Sequence, residues 1–536
     1  MRLNQSPLKE VNFTNFAGGY AGAKGASTLT TNEAQDLDNI IILPSGGGFR
    51  NRQGNTEESH SGNLSTVINP VQGIISYKTS SAEHLIWVTT LSTNTSVFEH
   101  DLSSSTHTVR HTIVGAGTGQ NNIFTLFKFK DLIIGVSDSQ TTPFKIDMSG
   151  TPSGAVLGGS PPSGKVGISW NSRAWIGNTS TDPSKLSYSI LDDPEDWSSS
   201  GSGFVNPQQK DGDELIAVQP ISNNVMLYFK RHSIFQVVGR TDPFSVFPLH
   251  RGVGCIGKHA IVEADGLVHF ITAEGKMRIT DGSRIYDDKD IPQLSNADDL
   301  WAQVPKSRLP YVQGYRHIGT DFDHIVFLVS YGSSATANNY AIVWDFKNKC
   351  WLKRSTGHNG NCATTLNDGT PYIGGYAGRT YKMDISSKYA DDSGVTPTIS
   401  GSNTQILPTA PIPIRWFWRT DNISVDSLQN IVQVDRVNFM TEFQSNAAIK
   451  ISYGYDGFQD SSSITKSVVP STFILGTSIL GVGILGGFRY LVDTIRPLGR
   501  GQTFNCKFEG ASTVASKFTR FSLAGRQAGT KVKEVR

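Results

Sequence analysis

Cysteine is scarce in this 536-residue chain: Cys255, Cys350, Cys362 and Cys506 are the only four, and no two are spaced C-x-x-C. That excludes a disulfide framework and leaves a zinc site without support. Charge is thin as well. Asp, Glu, Lys and Arg make up 18% of the chain, and 48 Lys+Arg nearly cancel 46 Asp+Glu to leave +2, which argues against a polycationic nucleic-acid binder. Met1 to Glu10 lacks the apolar core of a secretory signal, so synthesis and folding in a reducing cytoplasm are expected. Helical periodicity is nearly missing too; the best candidate is the short stretch Asn296 to Gln303. Aromatics and glycine are what the chain has in quantity: 27 Phe, 16 Tyr, 9 Trp and 54 Gly. So many large apolar rings exclude intrinsic disorder and supply a core.

Short strands separated by Gly, Asn, Asp and Ser turns fill the rest. Examples are His84 to Thr90, Leu132 to Val136, Ser233 to Val238 and His324 to Ser330, with hairpin turns at Asp265-Gly266, Glu274-Gly275 and Asp368-Gly369. From about residue 70 to 385 a unit of short strand, turn, aromatic-bearing strand, turn recurs, most plainly over Ile261–Thr280 and Cys362–Asp384. Asp345 and Asp384 close strands just before turns, where a carboxylate can accept from turn amides. This pattern predicts an all-β protein: a β-propeller of six or seven blades over 61–385, rather than a stack of unrelated sandwiches. Residues 1–60 read as an extended N-terminal arm joining the platform, 386–412 as a linker, and 413–536 as a C-terminal β-sandwich-like platform domain.

Few motifs point to chemistry. Gly252-Val253-Gly254-Cys255-Ile256-Gly257 fits G-x-G-x-x-G, and Lys258 extends it toward a P-loop, but residue 259 is His and the next segment reads as strand. A phosphate cradle needs a helix N-terminus there, so a Gly-rich crossing between two blades is expected. His100, His107 and His111 cluster in a polar region and read as solvated surface. Asp192, Asp193, Glu195 and Asp196 could in principle pair as glycosidase carboxylates, although a solvated turn is the plainer reading. No H-E-x-x-H or G-x-S-x-G is present. Val468 to Phe488 is uncharged and repeats Ile-Leu-Gly every five residues, at 474, 479 and 484. Its glycines favour a buried ribbon or packed loop over a membrane-spanning helix.

Several blocks resemble a known family. They are Val166-Gly167-Ile168-Ser169-Trp170-Asn171-Ser172-Arg173-Ala174-Trp175-Ile176-Gly177, Asp193-Pro194-Glu195-Asp196-Trp197, Gly212-Asp213-Glu214-Leu215, Phe229 to Gly239, and in the arm Phe16-Ala17-Gly18-Gly19, Asn32-Glu33-Ala34 and Arg50 to Gly54. Together they resemble the tail nozzle proteins of short-tailed phages, also called tail tubular protein B or packaged-DNA stabilisation proteins. The resemblance is densest from about 160 to 285 and weaker after 390. It implies a propeller protomer, a platform formed by the chain's two ends, and a homo-hexameric tube in the virion tail. Such a tube sits below an adaptor ring, meets fibres or spikes and needle or tip proteins, and retains packaged double-stranded DNA and conducts it at ejection, with the host envelope as a further expected contact. It implies no catalytic residue, cofactor or metal, and hence a structural protein rather than an enzyme. Phe16, Asn32, Glu33, Ile41, Leu43, Arg50 and Leu480 are the expected assembly-interface residues. The alternative is a carbohydrate-active or carbohydrate-binding propeller, with Trp170, Trp175 and Trp197 stacking on sugars.

Overall fold

The computed structural model describes residues 8–392 apart from 25–27, 59–68, 81, 92–93, 105–106, 118, 210 and 387, and residues 412–527 apart from 424–431, 444–446, 458–459, 469–489 and 512–514. Expectations about Val468 to Phe488, including Leu480, therefore lie outside the described residues beyond Val468 itself, as do those about most of the 386–412 linker.

The chain is a β-propeller of seven antiparallel blades joined to a β-sandwich. Blade 1 comprises Val71–Lys78, Glu83–Leu91, Asn94–Asp101 and His107–Ile113. Blades 2 to 6 begin at Phe124, Val166, Leu215, Ile261 and Gln313, and blade 7 at Cys362. The first strand of each blade contacts the first strand of the next, and Cys362–Thr365 returns to Val71–Lys78, so the ring is closed. Local chemistry sets the turns. Asp265 and Gly266 both take positive φ, at 51° and 78°, as a two-residue hairpin connection requires. Asp345 closes its strand as expected, its Oδ1 accepting from the amides of Lys347 at 3.0 Å and Asn348 at 2.9 Å; Asp101, Asp147 and Asp281 do the same for Ser103, Ser149 and Ser283. Asp384 does not. Its carboxylate faces His317 at 3.4 Å instead. The expected helix is present as the short α-helix Asp298–Ala302, entered through a 3-10 turn, Pro292–Ala297. No helix among the described residues is long and apolar enough to cross a membrane.

The arm is built into both units. Thr56–Glu57 supplies the outer strand of blade 7, with Tyr381 opposite Glu57, so the last blade closes with strands from both ends of the propeller segment. Gly19–Tyr20 and Glu33–Ala34 extend blade 6 to six strands. Asp36–Asp38 joins one sandwich sheet, beside Arg415–Arg419, Phe504–Ala511, Ala447–Tyr455 and Ser462–Val468. Lys9–Phe13, Ile40–Ile42 and Phe49–Asn51 join the other, with Ser516–Gln527, Val432–Phe443 and Tyr490–Ile495. Strands of two or three residues cannot hold themselves together and exist because a longer strand receives them. Between the sheets Phe49 stacks on Trp418 at 5.3 Å and on Phe518 at 5.0 Å, and Phe13 stacks on Phe521 at 4.1 Å. One apolar core runs from this sandwich through the arm into blades 4 to 7.

A buried polar network crosses the same junction. Arg52, 2% exposed, grips Asp391 with both terminal nitrogens, at 2.9 and 2.5 Å, and donates from Nε to Asn39 Oδ1 at 2.9 Å. Asn39 donates onward to the carbonyl of Arg415 at 2.9 Å. Asp391 falls within the expected linker, yet Ala390–Asp391 pairs with Ile412–Pro413, so this part of the linker is a fixed element. Beside it Arg354 donates to His324 Nδ1 at 2.8 Å and to His358 Nε2 at 3.2 Å. An imidazole nitrogen that accepts from a guanidinium carries no proton, so both rings are held neutral. Burial pulls His324 down to about 4 and holds His358 well below its ordinary value.

Two outcomes follow. Arg52→Ala leaves Asp391 buried without its partner and should cost about 3–5 kcal/mol, read from urea unfolding by tryptophan fluorescence. Arg52→Met combined with Asp391→Leu should recover much of that loss. Stability should also fall as pH drops from 6.5 to 4, because His324 binds a proton in the unfolded chain throughout that window but in the folded chain only near its end. His269, lowered to about 4 by burial, adds to the loss, while Asp38, raised to about 6, opposes it. With about 1.4 kcal/mol per pKa unit, the net loss should reach several kcal/mol, and an equal urea midpoint at pH 7 and pH 4.5 would contradict it.

Candidate functional site

The first strands of the blades surround an axis, and at the end where they begin lies a cavity of about 370 Å³. Blade 2 contributes Asn121 and Asp138, blade 3 Lys165 and Asn178, and blade 4 Glu214 and Arg231. Lys258 and His259 enter from the connection between blades 4 and 5, and Tyr311 and Gln313 from the start of blade 6. Polar groups thus converge from four blades and one inter-blade connection on one hollow, a concave site with convergent polar groups of the kind that binds ligands.

The glycine-rich motif makes this site. Gly252 takes φ +89° in open space, whereas a Cβ on Gly254 would lie 2.1 Å from the Lys230 carbonyl and one on Gly257 would lie 2.6 Å from the Pro310 carbonyl. The glycines therefore let three backbone segments meet. Residues 252–257 cross from blade 4 to blade 5, and a turn and the strand Ile261–Ala264 follow, with no helix to cradle a phosphate. The crossing delivers Lys258 to the axis. Its ammonium donates to the Ile123 carbonyl at 2.7 Å and to Asp138 Oδ1 at 3.0 Å. Blades 5 and 2 are not neighbours, so this side chain spans the channel as a strut. Burial lowers the Lys258 pKa, and Asp138 counters it. His259 beside it is pushed down to about 3 by burial and then by the Lys258 charge.

The two carboxylates are occupied: Asp138 by Lys258, and Glu214 by Arg231 at 3.0 Å. Lys165 has no carboxylate within ion-pair reach among the described residues. Behind the cavity wall Arg308, 7% exposed, donates to Asn121 Oδ1 at 2.7 Å and to Ser330 at 3.2 Å, and lies 4.4 Å from the Tyr311 ring. Its Nη2 is buried with no hydrogen-bond partner among the described residues.

Other sequence candidates fare differently. His100 is 1% exposed, so the solvated-surface reading fails for it; its ring stacks on His107 at 4.2 Å, with Trp87 edge-on to His107 at 5.2 Å. Among the described residues no group of His, Cys, Asp and Glu is placed to hold a metal. Glu195 pairs with Lys145 and accepts the Gly158 amide at 2.6 Å, while Asp193 and Asp196 accept amides of their own turn. Glu195, and Asp192 through Lys130 at 3.0 Å, thus staple blade 3 to blade 2, while Asp193 and Asp196 serve their own turn. Trp170 and Trp175 are 4% and 0% exposed, and Trp170 donates to the Ser222 carbonyl at 2.8 Å, so neither ring is free to stack on a sugar. Of the arm residues, Phe16, Ile41 and Leu43 are buried within the subunit, whereas Asn32, Glu33 and Arg50 are partly exposed; Glu33 pairs with Lys24, Asn32 accepts from Thr30, and Arg50 is 3.9 Å from Asp321. All four cysteines are free thiols and buried. Sequence reasoning passed over Lys165 and Arg308, since a lone cation in a strand-and-turn pattern carries no local signal.

No model of a known family matches the sequence, and no curated protein matches it. Among solved structures the chain is similar to YCF48 bound to a D1 peptide, at 11% identity over 63% of this chain and 96% of that one, with a TM-score of 0.38. It is similar also to a streptogramin B lyase, at 14% identity over 62% and 97% with a TM-score of 0.38. The WD40 β-propeller domain of Doa1 aligns at 11% identity over 62% and 98%, with a TM-score of 0.39.

The strut gives one expectation. Gly254→Ala forces a Cβ against a fixed carbonyl and should destabilise the propeller by more than 2 kcal/mol, whereas Gly252→Ala, strained in φ but unobstructed, should cost about 1 kcal/mol. Urea midpoints of the two variants check the order.

Proposed function

We propose that the chain is a structural subunit of the tail nozzle of a short-tailed phage, a homo-hexameric tube that retains packaged DNA and conducts it during ejection. The observation that carries this reading is the platform. Lys9–Phe13, Asp36–Asp38, Ile40–Ile42 and Phe49–Asn51 form one sandwich with strands between residues 415 and 527, the arrangement the sequence resemblance implies for that family. A shared core and the Arg52–Asp391 pair tie this platform to the propeller, which suits a subunit that bears load within a ring. Near-zero net charge is also compatible with a conduit, because a strongly basic wall would hold phosphates through counterion release and oppose passage. On this reading the partners are the adaptor ring above, fibres or spikes and tip proteins, the DNA in the lumen and the host envelope, and the protein resides in the virion tail.

Negative-stain imaging of the purified chain, alone and with its adaptor ring, tests this. Six-fold rings or tubes are expected. A protein that stays monomeric under both conditions would remove the reading.

A further inference from the structure

We propose that the axial cavity of the propeller binds a small oxyanion-bearing molecule of the size of a hexose monophosphate. This goes beyond the tail reading and stands whether or not the chain forms a tube. Two observations carry it independently. One is the charge balance at the cavity: Asp138 and Glu214 are each engaged by a cation, Lys258 and Arg231, at 3.0 Å, and Lys165 is left over. The other is Arg308, a buried guanidinium that among the described residues has no carboxylate partner and whose Nη2 makes no hydrogen bond there. A buried charge without a counter-ion is costly, as is an unsatisfied donor, and Arg308 reaches the cavity through two lining residues, Asn121 and Tyr311. An oxyanion seated beside Lys165 and Asn121 supplies the missing negative charge.

The same wall limits what the anion can be. Glu214 and Asp138 are already paired with cations, so the unpaired charge beside Lys165 matches one oxyanion rather than a polyanion such as a nucleic-acid backbone or a nucleoside triphosphate. The two carboxylates also accept hydrogen bonds from hydroxyls, as the carbonyl oxygens of Asn178 and Gln313 do. About 370 Å³ lies at the small end of ligand cavities. One phosphoryl group carried on a hydroxylated body satisfies both the charge and the hydroxyl requirement.

Isothermal titration with glucose 6-phosphate, inorganic phosphate and glucose, at low salt on the full chain, tests the assignment. Glucose 6-phosphate should bind and raise the melting temperature, phosphate should bind more weakly, and glucose should not bind. Lys165→Gln, a half-buried position, should weaken glucose 6-phosphate at least tenfold, and Lys185→Gln, outside the cavity, should leave it unchanged. Where Lys165→Gln melts like the parent, equal affinity in the two would overturn the site. Phosphate binding without glucose 6-phosphate binding would overturn the ligand class, and no heat or melting shift with any probe at 10 mM would overturn the proposal entirely. If Lys165→Gln fails to fold, competition between phosphate and glucose 6-phosphate on the parent chain decides: additive, non-competing heats would refute a single oxyanion seat.

Discussion

The bidentate pair between Arg52 and Asp391 is the point on which the architecture turns. Arg52 belongs to the arm, Asp391 to the segment leaving blade 7, and Asn39 relays the contact to Arg415 at the start of the sandwich. A charged pair this deeply buried gains little net stability over an apolar replacement, but it tolerates no partial loss and no alternative register. That asymmetry suits a junction of three chain segments far apart in sequence. The short arm strands could slide along their hosts, since two or three residues specify register weakly. A fork that must meet one carboxylate fixes them.

The axis is braced by a similar device. Lys258 reaches from the crossing between blades 4 and 5 to the carbonyl of Ile123 and the carboxylate of Asp138. A propeller closes through contacts between successive blades, and a bond between non-successive ones limits relative tilt of the whole ring. The strut also makes the hollow above it polar, because an ammonium brought to the axis needs acceptors, and its neighbours Lys165 and Arg231 then define which charges the hollow can receive.

The propeller was legible because its determinants are local. Asp265-Gly266 declares a hairpin, and Asp345 closes a strand onto its own turn. The arm was legible only as something without its own core. Its strands are created by partners more than 300 residues away, as Thr56–Glu57 is by Thr380–Lys382, and two residues show no period. The misread His100 has the same origin: its segment is polar, and its burial comes from packing that includes Glu58, whose carboxylate lies 3.7 Å away. The G-x-G-x-x-G pattern was visible, but close approach of backbones from blades 4 and 6, not phosphate, is what demands those glycines.

This reallocation of the arm constrains any assembly. Phe16, Ile41 and Leu43 are spent within the subunit, so a ring of these chains has to be built from other surfaces. At the sandwich edge opposite the arm strands lie Ser462–Val468 in one sheet and Tyr490–Ile495 in the other, each the last strand of its sheet among the described residues. Lys466 and Asp493, 3.3 Å apart, tie these two edges together. A sheet edge presents unpaired amides and carbonyls, and a neighbour can meet them without disturbing the core. The apolar run beginning at Val468 leaves from this same edge. On the tube reading, contacts between subunits would therefore fall at this edge, which no other described strand covers, away from the junction that the Arg52–Asp391 pair holds shut.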